Sequence, residues 1–535
     1  MSQLSGTDVL AELAVRTDRV RIPVWTVAVA GLTVLIASSY STIYPTAQSR
    51  QARAELIASP AATALAGPGY GLDDYTLGAM VANEIAGMTM VAVAIMSVLL
   101  VTRHLRTEEE TGRTELVRAG VVGRYAGITA GLISAALANV FVALLLVIGL
   151  LAVGLPPAGS LNMSAGVLVV GLVFTALSAL ASQFTEHART ASGAGICAIT
   201  VAYLLRALGD VQQGHSGSLL TWVSPIGWSQ ATRAYVDERW WPLLIGLVAA
   251  ALTVLGAYAA IGRRDVGAGL LPPRGGRAEA TTRLNGVAAL ATRQQRGQIL
   301  PWGVGVFALS LPIGSLGRQI GDFIDQDPDL AQLLPGGAAA AADGAFALYL
   351  VFLVVMAAMY AVGAVVSIRS EESSGRAEEA LATPVSRARW LGGQLAVTAA
   401  AAVAIAAAAG VGMGITAAFT LSDAGALGRL IGAALNTVPA VLLIVGLCAA
   451  VYGLVPRALV PRALPVLWAY VGYVLVAGMF GEVLPGWFGL LSPFHYTPAL
   501  PAESFSATPL VVLLILAAAL FAAGITGFQR RDVGR

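Results

Sequence analysis

Two short stretches carry acids and arginines at a spacing that could do chemistry. One is TEEETGRTELVRAGVVGR, residues 107–124; the other is SEESSGRAEEALATPVSR, residues 370–387. At an offset of 263, Glu108, Glu109, Gly112, Arg113, Glu115, Ala119, Val122 and Arg124 recur as Glu371, Glu372, Gly375, Arg376, Glu378, Ala382, Val385 and Arg387, eight identities in seventeen positions. Charges of both signs in a fixed order suit docking on a complementary surface. A solvated, charge-mixed helix end is the ordinary meaning of such a run, but it has no need of the same charges in the same order twice. Two equivalent sites for two copies of one partner do. Thr111 or Ser374 is placed to cap a helix whose first turn holds Glu115 or Glu378, favourable near the positive helix end. Gly112 or Gly375 permits a sharp reversal of the chain. The expectation is a short helix along the membrane face, carrying both charge signs and apolar Leu116, Val117 and Val122, or Leu381 and Val385.

The elements that position these stretches are apolar. Of 535 residues 57% are hydrophobic and 12% charged, about half the charged share of a soluble protein. Runs of about 20 apolar residues recur along the chain and no barrel-type alternation is present, so the expected class is an all-α polytopic membrane protein. Twelve spans are predicted, at 23–44, 79–101, 125–153, 160–184, 191–210 and 241–262, then 300–317, 344–368, 390–418, 427–455, 465–484 and 509–527. No cleavable signal peptide is expected, because residues 1–21 are polar. All 32 basic residues are arginine. With both termini inside, 25 of the 32 fall on the cytosolic side, which sets the predicted orientation. The net charge of +2 gives no sign of a nucleic-acid partner. Cys197 and Cys448 lie in apolar runs and read as small core residues, and no metal site is expected.

Two further echoes keep nearly the same offset. SPIGW at 224–228 matches SPFHY at 492–496, before each sixth span, and RRDVG at 263–267 returns at 530–534, after each sixth span. The chain therefore reads as a tandem duplication. Residues 1–262 form a first six-helix half, 263–299 a linker containing LPPRGG and an amphipathic helix, and 300–535 a second half. An even number of spans per half makes the halves parallel repeats. Val9, Leu10, Leu13 and Val15 oppose Asp8, Glu12 and Arg16, and Leu284, Val287 and Leu290 recur at helical spacing. Both segments can lie in the membrane interface.

The stretch RSEESSGRAEEALATPVSRARWLGGQL resembles the first cytosolic loop of ABC-2 type exporter permeases throughout. The first copy departs from that pattern, with Gly120 and Val121 where the family tends to have Thr-Pro. Two halves in one chain resembles the fused permeases of actinobacterial multidrug and tetronasin-type antibiotic exporters. The resemblance implies that residues 107–124 and 370–387 are coupling helices docking on a cytosolic ABC ATPase. It implies two copies of that ATPase, with ATP and Mg on the partner, and no cofactor on this chain. A P-loop needs a lysine to reach the phosphates, and there is no lysine here, so the chain is expected to be a transport subunit and not itself an enzyme. The implied setting is a bacterial cell membrane, and the implied cargo a small amphipathic molecule such as a drug or antibiotic.

Intramembrane polar and adaptable side chains mark where such a cargo could pass. Asn83 and Glu84 lie in the second span, and the duplicate position of Glu84 is Ala347. Arg206 could pair with Glu84. Met88, Met90 and Met96, with Tyr349, Phe352, Met356 and Tyr360 in the eighth span and Trp468, Tyr470 and Tyr473 in the eleventh, suit mixed apolar ligands. For each, packing or an ordinary ion pair is the competing reading. Two other classes compete for the whole chain: a proton-coupled secondary transporter, for which Glu84 is the firm carboxylate candidate, and a non-transporting scaffold or sensor coupled to an ABC ATPase. A membrane enzyme is disfavoured, because His104, His187, His215 and His495 are scattered over different loops.

Overall fold

A computed structural model describes residues 2–213, 218–265, 267–271, 284–317, 341–480 and 485–531. His215, most of LPPRGG, nearly all of the segment 318–343, the end of the predicted eleventh span at 481–484 and the last residues of the second RRDVG copy lie outside them. Among the described residues twelve helices are long and apolar enough to cross a membrane, and the described elements are all helical. By its internal contacts the chain divides into two units, Met1–Gly276 and Arg277–Arg535.

In the first unit the helix Thr7–Thr17 leads into spans Arg21–Ile43, Ala86–Glu110, Ala126–Ala152, Pro157–Phe184, Ala188–Gln212 and Trp241–Ile261. Spans two and four are 67% and 72% buried, against 22% for span six, so they form the axis of the unit and the others present apolar faces to lipid. The second unit repeats this order with Val287–Ser315, Ala342–Ser373, Arg387–Thr420, Gly425–Leu454, Val460–Gly478 and Ala507–Arg530. Its second and fourth spans are 61% and 67% buried, its sixth again 22%. Without water between helices, close packing supplies much of the association energy. Gly453 shows how: a Cβ there would fall on the carbonyl oxygen of Gly524, so the fourth and sixth spans of this unit meet backbone to backbone.

The segment between spans one and two of the first unit is folded. Helices Ala47–Ile57, Pro60–Ala66 and Leu77–Glu84 start at Thr46, Ser59 and Thr76, whose hydroxyls accept from the amides of Ser49, Ala62 and Ala79, the ordinary N-cap bond. The predicted span 79–101 is therefore two helices, Leu77–Glu84 and Ala86–Thr102, meeting at Ile85. A π-helical turn, Arg103–Thr107, then carries the chain to Glu108.

Two local expectations change. The amphipathic stretch before span seven is not a separate interfacial helix. Leu284 precedes a continuous helix, Val287–Ser315. Its Gln295 and Gln298 turn inward to bond Gln394, Tyr360 and Ser367 at 2.7–3.1 Å, and these bonds dock the segment on its own unit. The short loop helices Arg113–Arg118 and Arg376–Leu381 form, but Thr111 and Ser374 do not cap them. Gly112 and Gly375 do, at φ 72° and 80°, without a side-chain bond. The hydroxyls of Thr111 and Ser374 donate back to the carbonyls of Thr107 and Glu371 at 2.9 and 3.2 Å, because the end of the preceding helix leaves carbonyls free.

Candidate coupling site

In the first unit the consecutive glutamates of the loop do different things. Glu108 is 3.3 Å from Arg113 in a pair exposed to solvent. Glu109 turns inward and is 8% exposed. Arg264, after span six, donates to both its oxygens at 2.6 and 3.1 Å, and Arg106 donates at 2.7 Å. The Nε of Arg264 donates to Gln183 at the end of span four, at 2.8 Å. Glu110 accepts from the amide of Ala188 at 2.8 Å and so caps the start of span five. Arg124 donates to the carbonyls of Ile261 and Gly262 at 3.1 and 2.8 Å. The amides of Gly123 and Tyr125 donate to the carbonyls of Ser5 and Gln3 at 2.9 and 3.0 Å, clipping the N-terminal segment alongside.

The second unit builds the same arrangement. Glu371 and Arg376 form the outer pair at 2.8 Å, and this bond holds the Arg376 guanidinium above its ordinary pKa. Glu372, 5% exposed, receives Arg531 at 2.6 Å and the hydroxyl of Tyr452 at 2.6 Å. Arg531 also donates to the Tyr452 carbonyl at 3.0 Å and lies over its ring. Arg387 donates to the Arg531 carbonyl at 2.7 Å. Arg264 and Arg531 are the second arginines of the two RRDVG copies, so the echo in the sequence marks the partners of the two buried glutamates.

What remains outward is the short helix. Glu115 and Glu378 are exposed, and Leu116 is 79% exposed, so Arg113, Glu115 and Leu116, with Arg376 and Glu378, form the accessible surface of each loop.

At the opposite end of the first unit, Glu84 sits at the break in the second span. Its carboxylate accepts from Arg53 at 2.6 and 3.1 Å, from the Tyr75 hydroxyl at 3.1 Å and from the Tyr40 hydroxyl at 3.4 Å. Asn83 exchanges two bonds with the backbone of Tyr70, at 2.8 and 3.2 Å. The two residues thus fasten the folded segment 47–75 to span two. Arg206 does not reach Glu84. It is fully buried, 3.6 Å from Asp210 and bonded to the carbonyls of Thr63 and Leu65 at 3.2 Å each, because one helical turn separates it from an acid of its own span. Arg53 was legible as one of two arginines in the segment after span one, yet periodicity gave no reason to fold that segment back.

The remaining candidates scatter. Met88 is 59% exposed, whereas Met90 and Met96 are core. Tyr349, Phe352 and Met356 are half-buried on span eight. Tyr360 is fully buried and donates to Gln295 at 2.7 Å, and the Tyr473 hydroxyl donates to the Phe488 carbonyl. No group of three or more His, Cys, Asp or Glu that could hold a metal occurs among the described residues.

Residues 10–260 and 284–529 match the family model of the multidrug efflux system permease Rv1217c, C-terminal domain, one segment falling in each unit. The chain belongs to this family. The multidrug efflux system permease protein Rv1217c of Mycobacterium tuberculosis (strain ATCC 25618 / H37Rv) is 36% identical over 537 residues, covering 99% of this chain and 96% of the relative. As a member of the Rv1217c family the chain is a multi-pass bacterial membrane protein and an ABC-2 type permease subunit. Permeases of this type couple to a cytosolic ABC ATPase and work in membrane lipid, so the chemistry of ATP hydrolysis belongs to the partner.

Proposed function

We propose that this permease exports small amphipathic molecules, drugs or antibiotics among them, and that two copies of one cytosolic ATPase drive it by docking on residues 107–124 and 370–387. The observation that carries the reading is the twofold occurrence of one local structure: a left-handed glycine, a six-residue helix with an exposed charged face, and an outer pair, Glu108–Arg113 or Glu371–Arg376. Both termini and the arginine-rich loops face the cytosol, since arginine is retained on that side. ATP and Mg bind on the ATPase. Glu108, Gly112, Arg113 and Glu115, with Glu371, Gly375, Arg376 and Glu378, form or shape the docking surface, while Glu109 and Glu372 hold it from behind. Asn83 and Glu84 belong to the outer gate of the substrate path. Met88, Arg206, Tyr349, Phe352, Met356, Tyr360 and Tyr473 line or support that path.

The test is purification from its native membrane with and without the ATPase. Alone, the chain should hydrolyse no ATP. The complex should contain two ATPase copies per permease by native mass spectrometry and should export ethidium, an amphipathic cation. Robust turnover by the chain alone, or a single ATPase copy in the active complex, overturns the reading.

A further inference from the structure

In both units the inward glutamate is one of two ties between the loop and the end of the sixth span. Glu109 binds Arg264 just before the short helix Arg113–Arg118, and Arg124 binds the carbonyls of Ile261 and Gly262 just after it. Glu372 binds Arg531 before Arg376–Leu381, and Arg387 binds the Arg531 carbonyl after it. The end of the fourth span joins each pair, through Gln183 in one unit and Tyr452 in the other. The offset between the units is 263 for the glutamates and 267 for the arginines, so spacing has drifted while the contact has been remade. Side-chain exposures are 8% and 3% for Glu109 and Arg264, and 5% and 11% for Glu372 and Arg531. A buried ion pair is a poor way to add stability, since an apolar pair of equal volume does as well. It is a good way to fix one geometry, because a charge pulled off its partner is left unsolvated.

We propose that Glu109–Arg264 and Glu372–Arg531 are positioning pairs that pass a displacement of each short helix into the sixth span and, through it, the fourth. They touch neither substrate nor ATPase. Bracketed on both sides, the short helix cannot shift without carrying the end of the sixth span with it. The inference rests on the docking role given to these loops above.

The test uses the full complex in a background with Cys197→Ala and Cys448→Ala, with ethidium as the probe and ATP hydrolysis measured in parallel. Glu109→Gln and Glu372→Gln should keep ATPase binding and hydrolysis within about twofold while ethidium export falls roughly tenfold or more, a loss confined to coupling. Arg531→Lys gives the same comparison should either glutamine variant accumulate poorly. Glu372→Cys with Arg531→Cys should be uncoupled as purified and regain export when a short bifunctional thiosulfonate bridges the two thiols. A pair serving only folding cannot be rescued by a link made after folding is complete. Export at the wild-type ratio in the unlinked variants, or a linked pair that stays uncoupled, overturns the inference. A wild-type complex that binds no ATPase or exports no ethidium strikes the docking reading instead.

Discussion

A single carboxylate inside an apolar span draws attention as a ligand for cargo or protons, and Glu84 shows what its surroundings decide. Its side chain is 6% exposed and its oxygens are filled by Arg53 and two tyrosines. Burial alone would lower the pKa of the Arg53 guanidinium, but the charge and hydrogen bond of Glu84, with Tyr44 and Tyr40 nearby, outweigh it and hold the group well above its ordinary value. The pair is then a latch on the segment 47–75. Glu84→Gln leaves the Arg53 charge unpaired and should destabilise the protein by roughly 2–4 kcal/mol, below the cost of breaking a fully buried pair because Arg53 is partly exposed. Arg53→Gln should cost a similar amount. The double variant should cost clearly less than the sum, as expected for residues that share one contact. Thermal unfolding in detergent measures all three. Additive losses would show that the latch is not the pair.

At the scale of elements, the helix Thr7–Thr17 is fastened by one residue just beyond its end. Asp18 is fully buried and accepts from Arg103, at the end of span two, and from Arg21; His104 lies 2.5 Å away. Burial alone would raise the Asp18 pKa, but the bond and charge of His104, with Arg103 and Arg21, outweigh it and hold the acid below its ordinary value of 3.8. A carboxylate depressed in the folded state contributes stability that is complete above its unfolded value and is lost as pH falls through the folded one. The N-terminal helix should therefore stay docked down to about pH 4 and release only below it. Asp18→Asn should remove this acid-dependent step and leave the helix loose at neutral pH. A fluorophore on the exposed face, at Leu13→Cys, reads docking through its anisotropy. Release already complete well above the carboxylate range would show that Asp18 is not the controlling group.

For the whole molecule, the two loops are built alike but not held alike. The first is tied to span five by Glu110 and to the N-terminal segment by the amides of Gly123 and Tyr125. The position matching Glu110 is Ser373, and Glu371 instead also receives Gln294 at 3.1 Å. Reversing the exposed arginines should cost less than about 1 kcal/mol of stability, since exposed pairs contribute little. Their effect belongs to assembly, where removing one member of an interfacial charge pair costs roughly 2–5 kcal/mol. Arg113→Glu and Arg376→Glu should each weaken ATPase binding, unequally, and together should abolish it. Co-purification measures this. A double reversal that still assembles at wild-type levels would return these loops to plain solvated charge.

The twelve spans, the duplication and the family resemblance were legible in the sequence because lipid imposes a long apolar run wherever a helix crosses it, and because a duplicated segment repeats its residues. Gly112 and Gly375 could be read as reversal points, since a left-handed turn selects glycine. The direction in which each repeated charge points could not be read. Glu108 and Glu109 are neighbours of one type, yet one faces solvent and the other is buried against an arginine 155 residues further on. Only the packing of spans two, four and six brings that arginine near. Arg206 and Glu84 looked equally available to one another, yet Arg206 meets Asp210 one turn along its own span and Glu84 meets Arg53 because the segment 47–75 folds back. Sequence fixes which groups must be neutralised in an apolar setting; tertiary structure alone decides with which partner, because Coulomb attraction and desolvation depend on distance in space and not along the chain.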